Sequence, residues 1–430
     1  MTKRGRIRRN FAWSLAGLTA IPAAVLWIYV NVAVPDHLNL VVSEEEIFEM
    51  NLPPGITFES NYEEVVLGNP SNIPKGKVKI QPAAPISMCG TTEGTYRIEM
   101  KLFGLIDVKD IEVNVGPDRY VTPCGTPVGV YLKSDGVMVI GTGEIINEAG
   151  NAVEPAFGIL KSGDYIESVN GLELETKDDL IKAVNACNGE TVHMVVRRND
   201  NLLNVEVEPV QTTDGSYKLG AWVRDDTQGI GTMTYVTPEG SFGALGHGIS
   251  DSDTGQLVAA EGGELYETEI LEIKKGENGN PGVMSGVIYY SPGTKLGEVN
   301  DNTDEGIFGT VNAEFRSQMG SDPIPVGFRQ DVKKGAAVIR SSVSGEVKDY
   351  AIEIQRVDHA SLQKNKGMTI KVVDEELLEL TGGIVQGMSG SPIIQDGKLV
   401  GAVTHVLVND PTRGYGIFIE NMLEAARQTI

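Results

Sequence analysis

Glycine residues divide most of this sequence into short apolar runs, and this spacing constrains the fold more than any other feature. The chain has 51 glycines among 430 residues, whereas soluble proteins contain about 7% glycine. Runs such as Thr232–Val236, Ala336–Ile339 and Leu399–Val403 are short and end at turn residues. The pattern predicts a mostly β protein rather than a helical bundle, and a chain of this length is expected to form two to four domains.

The amino terminus differs from the rest of the chain in charge and hydropathy. Residues 1–34 carry five basic side chains and no acidic one, although the whole chain has a net charge of −23. Residues 11–34 are uncharged, and about 20 apolar residues span a bilayer. We therefore expect residues 1–10 to be a basic cytoplasmic tail, residues 11–34 to be a transmembrane anchor, and the acidic body to be exported. A cleaved secretory signal is the alternative, although Pro35 follows the nearest candidate cleavage site.

Charge and cysteine content exclude several classes of function. The acidic excess argues against a nucleic-acid partner, because contacts to phosphate backbones depend on clustered lysine and arginine. The three cysteines, Cys89, Cys124 and Cys187, lack metal-site spacing. Cys89 and Cys124 could pair in an exported protein, but three free thiols are the simpler expectation. The histidines and cysteines show no ligand spacing, so we predict no metal and no other cofactor.

Residues 35–117 are predicted to form a stalk followed by a small β-rich region of unassigned role. The first part is acidic and is interrupted by Pro53–Pro54. From Tyr96 to Val115 apolar and polar residues nearly alternate, which predicts two strands joined around Gly104.

Residues 118–210 resemble a PDZ domain, which has an α+β fold. The string from Leu160 to Gly171 reads LKSGDYIESVNG, and a helix is predicted over Lys177–Ala186. The resemblance implies that a peptide strand adds to a sheet edge while backbone amides of a loop hold its terminal carboxylate. The residues of that predicted peptide-binding loop are Pro127, Val128, Gly129 and Val130. The alternative interpretation is a PDZ fold used only for internal packing or gating.

A serine on a glycine-rich turn is the first candidate for covalent chemistry. Residues 387–392 read GMSGSP, which matches the G-x-S-G-x-P pattern of chymotrypsin-like proteases and not the G-x-S-x-G elbow. Small neighbours let a carbonyl group approach Ser389, and exposed backbone amides can bind an oxyanion. We predict Ser389 as the nucleophile and the amides of Gly387, Met388 and Ser389 as the oxyanion hole.

A general base must accompany the serine. His247 lies between two glycines, where an imidazole stays accessible for proton transfer. His405 is the main rival because it is close to Ser389 in sequence, but we expect it to be a strand histidine bonded within the sheet. The remaining histidines, predicted in the stalk, a PDZ strand and an exposed loop, are His37, His193 and His359.

The acid that orients the histidine is not determined by spacing. Asp374 is the first choice because it ends an apolar run 15 residues before Ser389. The competing acidic residues are Asp251, Asp253 and Glu375.

The anchor, the PDZ-like segment and the strings GALGHGIS, VVDEE and GGIVQGMSGSP together resemble the SpoIVB serine peptidase family of endospore-forming bacteria. The resemblance covers nearly the whole chain. It implies that residues 211–430 form a chymotrypsin-like β-barrel peptidase module. It also implies a triad of His247, Asp374 and Ser389, in which Asp374 orients the histidine.

The same resemblance implies a role in signalling during spore formation. Such a protease is made in the forespore, crosses its inner membrane, processes itself and cleaves a membrane-bound regulator of an intramembrane metalloprotease, so that a sigma factor matures. The expected partners are therefore the membrane, this regulator, other copies of the chain and protein C-termini bound by the PDZ domain. The main alternative is a catalytically inactive PDZ adaptor tethered to the membrane, and a soluble secreted hydrolase is the third.

Overall fold

The computed structural model describes residues 25, 27–30, 34–48, 52, 55–60, 65–68, 78–79, 86–320, 322–359 and 361–428. The chain divides into two compact units. The first extends to Arg119 and includes Phe328–Val332 and Asp358–Leu362, and the second comprises Tyr120–Gly327, Lys333–Val357 and Gln363–Ile430. The predicted basic tail and most of the predicted anchor lie outside the described residues. Within the described part of the chain, no helix is both long and apolar enough to cross a membrane.

In its described residues the first unit is a β structure with two sheets. Its strands are β1 (His37–Val41), β2 (Glu45–Phe48), β3 (Ile56–Ser60), β4 (Val65–Gly68), β5 (Val78–Lys79), β6 (Ile86–Gly90), β7 (Gly94–Leu102) and β8 (Ile106–Gly116). They pair in the orders β1-β8-β7-β3-β5 and β2-β6-β4. The predicted hairpin around Gly104 is confirmed as β7 and β8. The predicted stalk is wrong for β1 and β3, because Leu38 and Phe58 are fully buried in the core of this unit.

The second unit begins with a PDZ-like part. Its strands are β9 (Tyr120–Pro123), β10 (Pro127–Thr142), β11 (Ile145–Ile146), β12 (Ala152–Val153), β13 (Tyr165–Val169), β14 (Leu172–Glu173), β15 (Val192–Arg198), β16 (Asn201–Val207), β17 (Val210–Gln211) and β18 (Tyr217–Lys218). Helix α1 spans Lys177–Ala186, as predicted, and begins at a capping box between Thr176 and Asp179. Its buried residues Leu180 and Val184 share one apolar core with β13 and β15.

Five of the next eight strands form a closed ring with β10. The eight strands are β19 (Ala221–Val236), β20 (Ser241–Ala244), β21 (Ala260–Tyr266), β22 (Thr268–Lys274), β23 (Val283–Ile288), β24 (Lys295–Thr303), β25 (Gly306–Val311) and β26 (Ile324–Pro325), with helix α2 at Ala313–Gln318. The pairings β10-β21-β24-β25-β20-β19 return to β10 and so close a six-stranded barrel. Strands β10 and β19 are long enough to serve both this barrel and the PDZ-like part.

The last part of the chain forms a second closed barrel. Its strands are β27 (Gly335–Ser341), β28 (Lys348–Val357), β29 (Met368–Val372), β30 (Pro392–Gln395), β31 (Lys398–Leu407) and β32 (Asp410–Phe418), and its helices are α3 (Glu375–Thr381) and α4 (Ile419–Gln428). The strand order around it is β27-β28-β29-β32-β31-β30. Ile339, Ile352, Ile370 and Ile393 are fully buried, because alternate residues of each strand point inward. The predicted β-barrel is confirmed.

Candidate active site

The turn that carries Ser389 is held by glycine geometry and by β19. Gly387 and Gly390 have φ values of 103° and 97°, which side-chain-bearing residues rarely adopt. A Cβ atom on Gly390 would also lie 2.0 Å from the carbonyl oxygen of Thr232. Thr232 Oγ1 donates to the Gly387 carbonyl at 2.7 Å, and Thr234 Oγ1 donates to the Gly390 carbonyl at 2.8 Å. These contacts come from β19 of the first barrel and fix the conformation of the turn.

The Ser389 side chain is half-buried and lies beside β31. Its hydroxyl donates to the carbonyl oxygen of Thr404 at 2.6 Å, one residue before His405. The same turn carries a second hydroxyl, that of Ser391. This hydroxyl is fully buried and has no hydrogen-bond partner among the described residues. Ser389 is therefore the accessible hydroxyl of this turn.

The three amides of the predicted oxyanion hole differ in whether they are already hydrogen-bonded. The Met388 amide donates to the Val385 carbonyl at 3.1 Å, so it is not free to bind an oxyanion, and that part of the prediction needs correction. The amides of Gly387 and Ser389 have no acceptor within the described part of the chain. Two unpaired amides two residues apart can bind a developing oxyanion.

The loop that carries His247 follows β20 and has two successive left-handed residues. Leu245 and Gly246 have φ values of 69° and 70°, and a non-glycine residue in this region stores strain of the kind found at functional sites. The Leu245 amide donates to the Thr232 carbonyl at 3.1 Å, while the Thr232 amide donates to the Ser389 carbonyl at 3.0 Å. Thr232 therefore joins the serine turn and the histidine loop.

The His247 imidazole is suited to act as a base. Its Nδ1 lies 2.8 Å from the carbonyl oxygen of Gly248. A carbonyl only accepts hydrogen bonds, so Nδ1 carries the proton and the Nε2 lone pair remains available. Burial lowers the pKa of His247, and the Gly248 hydrogen bond opposes part of this shift. The imidazole is therefore neutral at neutral pH.

His405 lies next to His247. The two ring centroids are 4.9 Å apart and the ring planes are tilted by 35°. His405 is in β31, as predicted, but its Nδ1 is buried without a hydrogen-bond partner in the described chain. The expectation of a side chain bonded within the sheet is therefore wrong for this nitrogen. Burial, aided by repulsion from Lys366 and from the protonated form of His247, lowers the pKa of His405 to about 4.

The Asp374 carboxylate caps helix α3. Oδ1 accepts from the Leu377 amide at 3.0 Å, and Oδ2 accepts from the Ala351 amide at 3.1 Å. Within the described residues, this carboxylate forms neither a hydrogen bond nor an ion pair with His247. The structure thus joins the loops that carry Ser389 and His247 through the Thr232 backbone. It gives Asp374 a capping role, and the role of Asp374 as the orienting acid stays a prediction.

The competing acidic residues are engaged elsewhere or exposed. Asp251 is buried and forms an ion pair with Arg224, which also binds Asp253 at 2.9 Å. Glu375 is exposed in the first turn of α3. Across the described part of the chain, no three His, Cys, Asp or Glu side chains cluster as metal ligands.

Several residues that hold the site carry no recognisable sequence signal. Thr232 and Thr234 are ordinary threonines of a β strand in the sequence. Asn302 holds the segment after His247, because its side chain accepts from the Ile249 amide at 2.8 Å and donates to the Val258 carbonyl at 2.9 Å. The contacts of these three residues depend on long-range pairing, so only the structure identifies them.

The predicted peptide-binding loop is part of a strand. Pro127, Val128, Gly129 and Val130 open β10, and Gly129 pairs with Ile230 of β19 on one side and Tyr266 of β21 on the other. The prediction of a loop with free amides is therefore wrong. Because β19 and β21 pair with both edges of these residues, neither edge is open for a peptide strand to add there.

The sequence of the barrel region determines the family. Residues 215–423, which contain both candidate loops, match the sequence model of the family described as SpoIVB peptidase S55. This domain belongs to the SpoIVB peptidase S55 family. The protein is accordingly a serine endopeptidase.

The solved structures that resemble this chain and are described next are only distantly similar to it. No curated protein matches its sequence. Among solved structures, the PDZ domain of an SdrC-like protein from Listeria monocytogenes is 20% identical, with a TM-score of 0.18, and the match covers 21% of this chain and 90% of that one. The active form of the Rv3671c protease from M. tuberculosis is 15% identical, with a TM-score of 0.25 and coverage of 47% and 74%. Similarities at this level identify neither a substrate nor a mechanism.

Proposed function

We propose that this S55 peptidase uses Ser389 as its nucleophile and His247 as its general base. The observation that carries the proposal is the double hydrogen bond of the Thr232 backbone, which joins the two loops. The neutral imidazole with its available Nε2 supports the same roles. The assignment of Asp374 as the orienting acid depends on its position in the sequence, at the end of an apolar run before Ser389, and on the family resemblance.

The proposed mechanism is acyl transfer. His247 takes the proton of Ser389 as Oγ forms a bond to the scissile carbonyl carbon, and the amides of Gly387 and Ser389 bind the resulting oxyanion. The imidazolium then gives its proton to the leaving amine as the peptide bond breaks. Water, deprotonated by His247, hydrolyses the acyl-enzyme and restores the Ser389 hydroxyl.

The nucleophile can be tested with a reagent that needs no knowledge of the cleavage preference. The full chain is incubated with a fluorophosphonate, and the labelled peptide is located by mass spectrometry. We expect a label on Ser389 that is lost in Ser389→Ala and strongly slowed in His247→Gln. Ser391→Ala is the matched control, because that hydroxyl lies on the same turn and is buried without a partner. Undiminished labelling of Ser389→Ala would exclude the proposed nucleophile.

We further propose that the protein is anchored in the forespore inner membrane and that its body lies between forespore and mother cell. There it processes itself and cleaves a membrane-bound regulator of an intramembrane metalloprotease, so that a sigma factor matures during spore formation. The uncharged residues 11–34, the acidic body and the family match support this role. Capture of chain ends by the PDZ-like part would require β19 to separate from β10.

This biological role is tested in an endospore-forming bacterium that lacks its own S55 peptidase. The parent chain and its Ser389→Ala variant are expressed in the forespore, and the regulator and the sigma factor are followed by immunoblot. The proposal predicts membrane-bound protein in both strains, with loss of the regulator and sigma-factor maturation only with the parent. Maturation with Ser389→Ala, or a parent found only in the soluble fraction, would contradict it.

A further inference from the structure

His405 is the titratable side chain next to His247 that the proposed mechanism does not use. The ring centroids are 4.9 Å apart, a distance typical of packed aromatic pairs. The preceding residue, Thr404, is fully buried, and its carbonyl oxygen accepts a hydrogen bond from the Ser389 hydroxyl. His405 is thus fixed by its backbone beside the nucleophile and by its ring beside the base.

The buried nitrogen of His405 points to a role beyond packing. Its Nδ1 has no hydrogen-bond partner in the described chain, and an unpaired buried polar atom reduces stability. Phenylalanine would fill the same place without that penalty. A side chain that costs stability beside a reactive group indicates a functional reason for its presence.

The charges around His405 favour its uncharged form. His247 and the ammonium group of Lys366 act on it directly, and the Lys366 ammonium also lies over the Tyr415 ring. The paired strand β32 carries Asp410 and Arg413, which form an ion pair with each other. The burial that lowers the pKa of His405 acts in the same direction as the charges of Lys366 and of protonated His247.

We propose that His405 is a positioning residue that holds the His247 ring in place and stabilises its imidazolium form through the dipole of an uncharged imidazole. The inference rests on the proposed role of His247 as the base. A positive charge forms on His247 when it takes the serine proton, and a neutral polar ring in contact with it favours that charge more than a hydrocarbon ring does.

The test compares His405→Phe, which keeps an aromatic ring, with His405→Asn, whose side-chain oxygen can replace the acceptor at Nδ1. For each variant of the full chain we measure the fluorophosphonate labelling rate, the thermal midpoint and the His247 titration by NMR with ¹³C-labelled histidine. We expect His405→Phe to unfold at the same or a higher temperature, to be labelled ~10-fold more slowly, and to have a lower His247 pKa. His405→Asn should recover part of the rate. His193→Phe, an exposed strand histidine beside Glu206, should change none of these.

Two results would overturn the inference. An unchanged labelling rate in His405→Phe would show that the ring only packs. If His405→Phe and His405→Asn lost the same rate and neither changed the His247 pKa, the hydrogen-bond acceptor of His405 would be irrelevant. The NMR titration is also recorded in Ser389→Ala, where no catalysis is needed. If only the proposed function is wrong, the parent will not be labelled, but the His247 titration will still respond to the His405 substitutions.

Discussion

Replacement of Asp374 separates its observed capping role from its expected catalytic role. The carboxylate accepts two backbone amides, those of Leu377 and Ala351. Loss of the helix cap costs about 1 kcal/mol, and loss of the second hydrogen bond about 1 kcal/mol more. Asp374→Ala is therefore expected to reduce the free energy of unfolding by about 2 kcal/mol, or roughly 4–8 °C in the thermal midpoint. Asp374→Asn keeps one acceptor at the cap and should cost about 1 kcal/mol or less.

The rate of fluorophosphonate labelling gives the second half of the comparison. If Asp374 orients His247 during catalysis, Asp374→Asn should lose about 10⁴ in rate while it stays folded. Thermal unfolding followed by circular dichroism checks the folding. A rate within tenfold of the parent in Asp374→Asn would refute the catalytic role and leave the Gly248 carbonyl as the group that orients His247.

The remaining predictions concern the serine turn, the base and one buried hydroxyl. Gly390→Ala should abolish labelling and unfold at a clearly lower temperature, because its Cβ would lie 2.0 Å from the Thr232 carbonyl oxygen. The control is Gly345→Ala, which has a similar φ of 93° but open space around it and should keep full activity. The labelling rate should rise with pH through a midpoint below 6.5, because burial favours neutral His247; a midpoint above 6.5 would contradict this. Tyr235→Phe removes a buried hydroxyl without a partner, so its thermal midpoint should stay equal or rise; a marked fall would reveal a hidden partner.

Local sequence patterns predicted individual elements well. The helix at Lys177–Ala186 has its capping box and apolar face in consecutive residues, and the hairpin around Gly104 shows regular alternation. The stalk was predicted from acidic residues and prolines, yet the strands found there are determined by packing of Leu38 and Phe58 in a shared core. Such packing depends on residues far away in the sequence and leaves no local signal.

The sequence indicates candidate residues for the site but does not determine their contacts. The glycine-rich surroundings of Ser389 and His247 indicated exposed reactive side chains. The pairing of β19 with β10 closes the predicted peptide-binding edge. It depends on a register between strands about 100 residues apart. The capping hydrogen bonds of Asp374 and the ring contact of His405 likewise follow from tertiary packing.

The most direct test of serine peptidase activity is a time course of the purified full chain beside its Ser389→Ala variant. Gel electrophoresis follows the fragments, and mass spectrometry locates the cleaved bonds. The account predicts that defined fragments form in the parent and that the Ser389→Ala chain stays intact. Identical fragmentation of both chains would contradict it, because Ser389 would then not be the nucleophile that cleaves the chain.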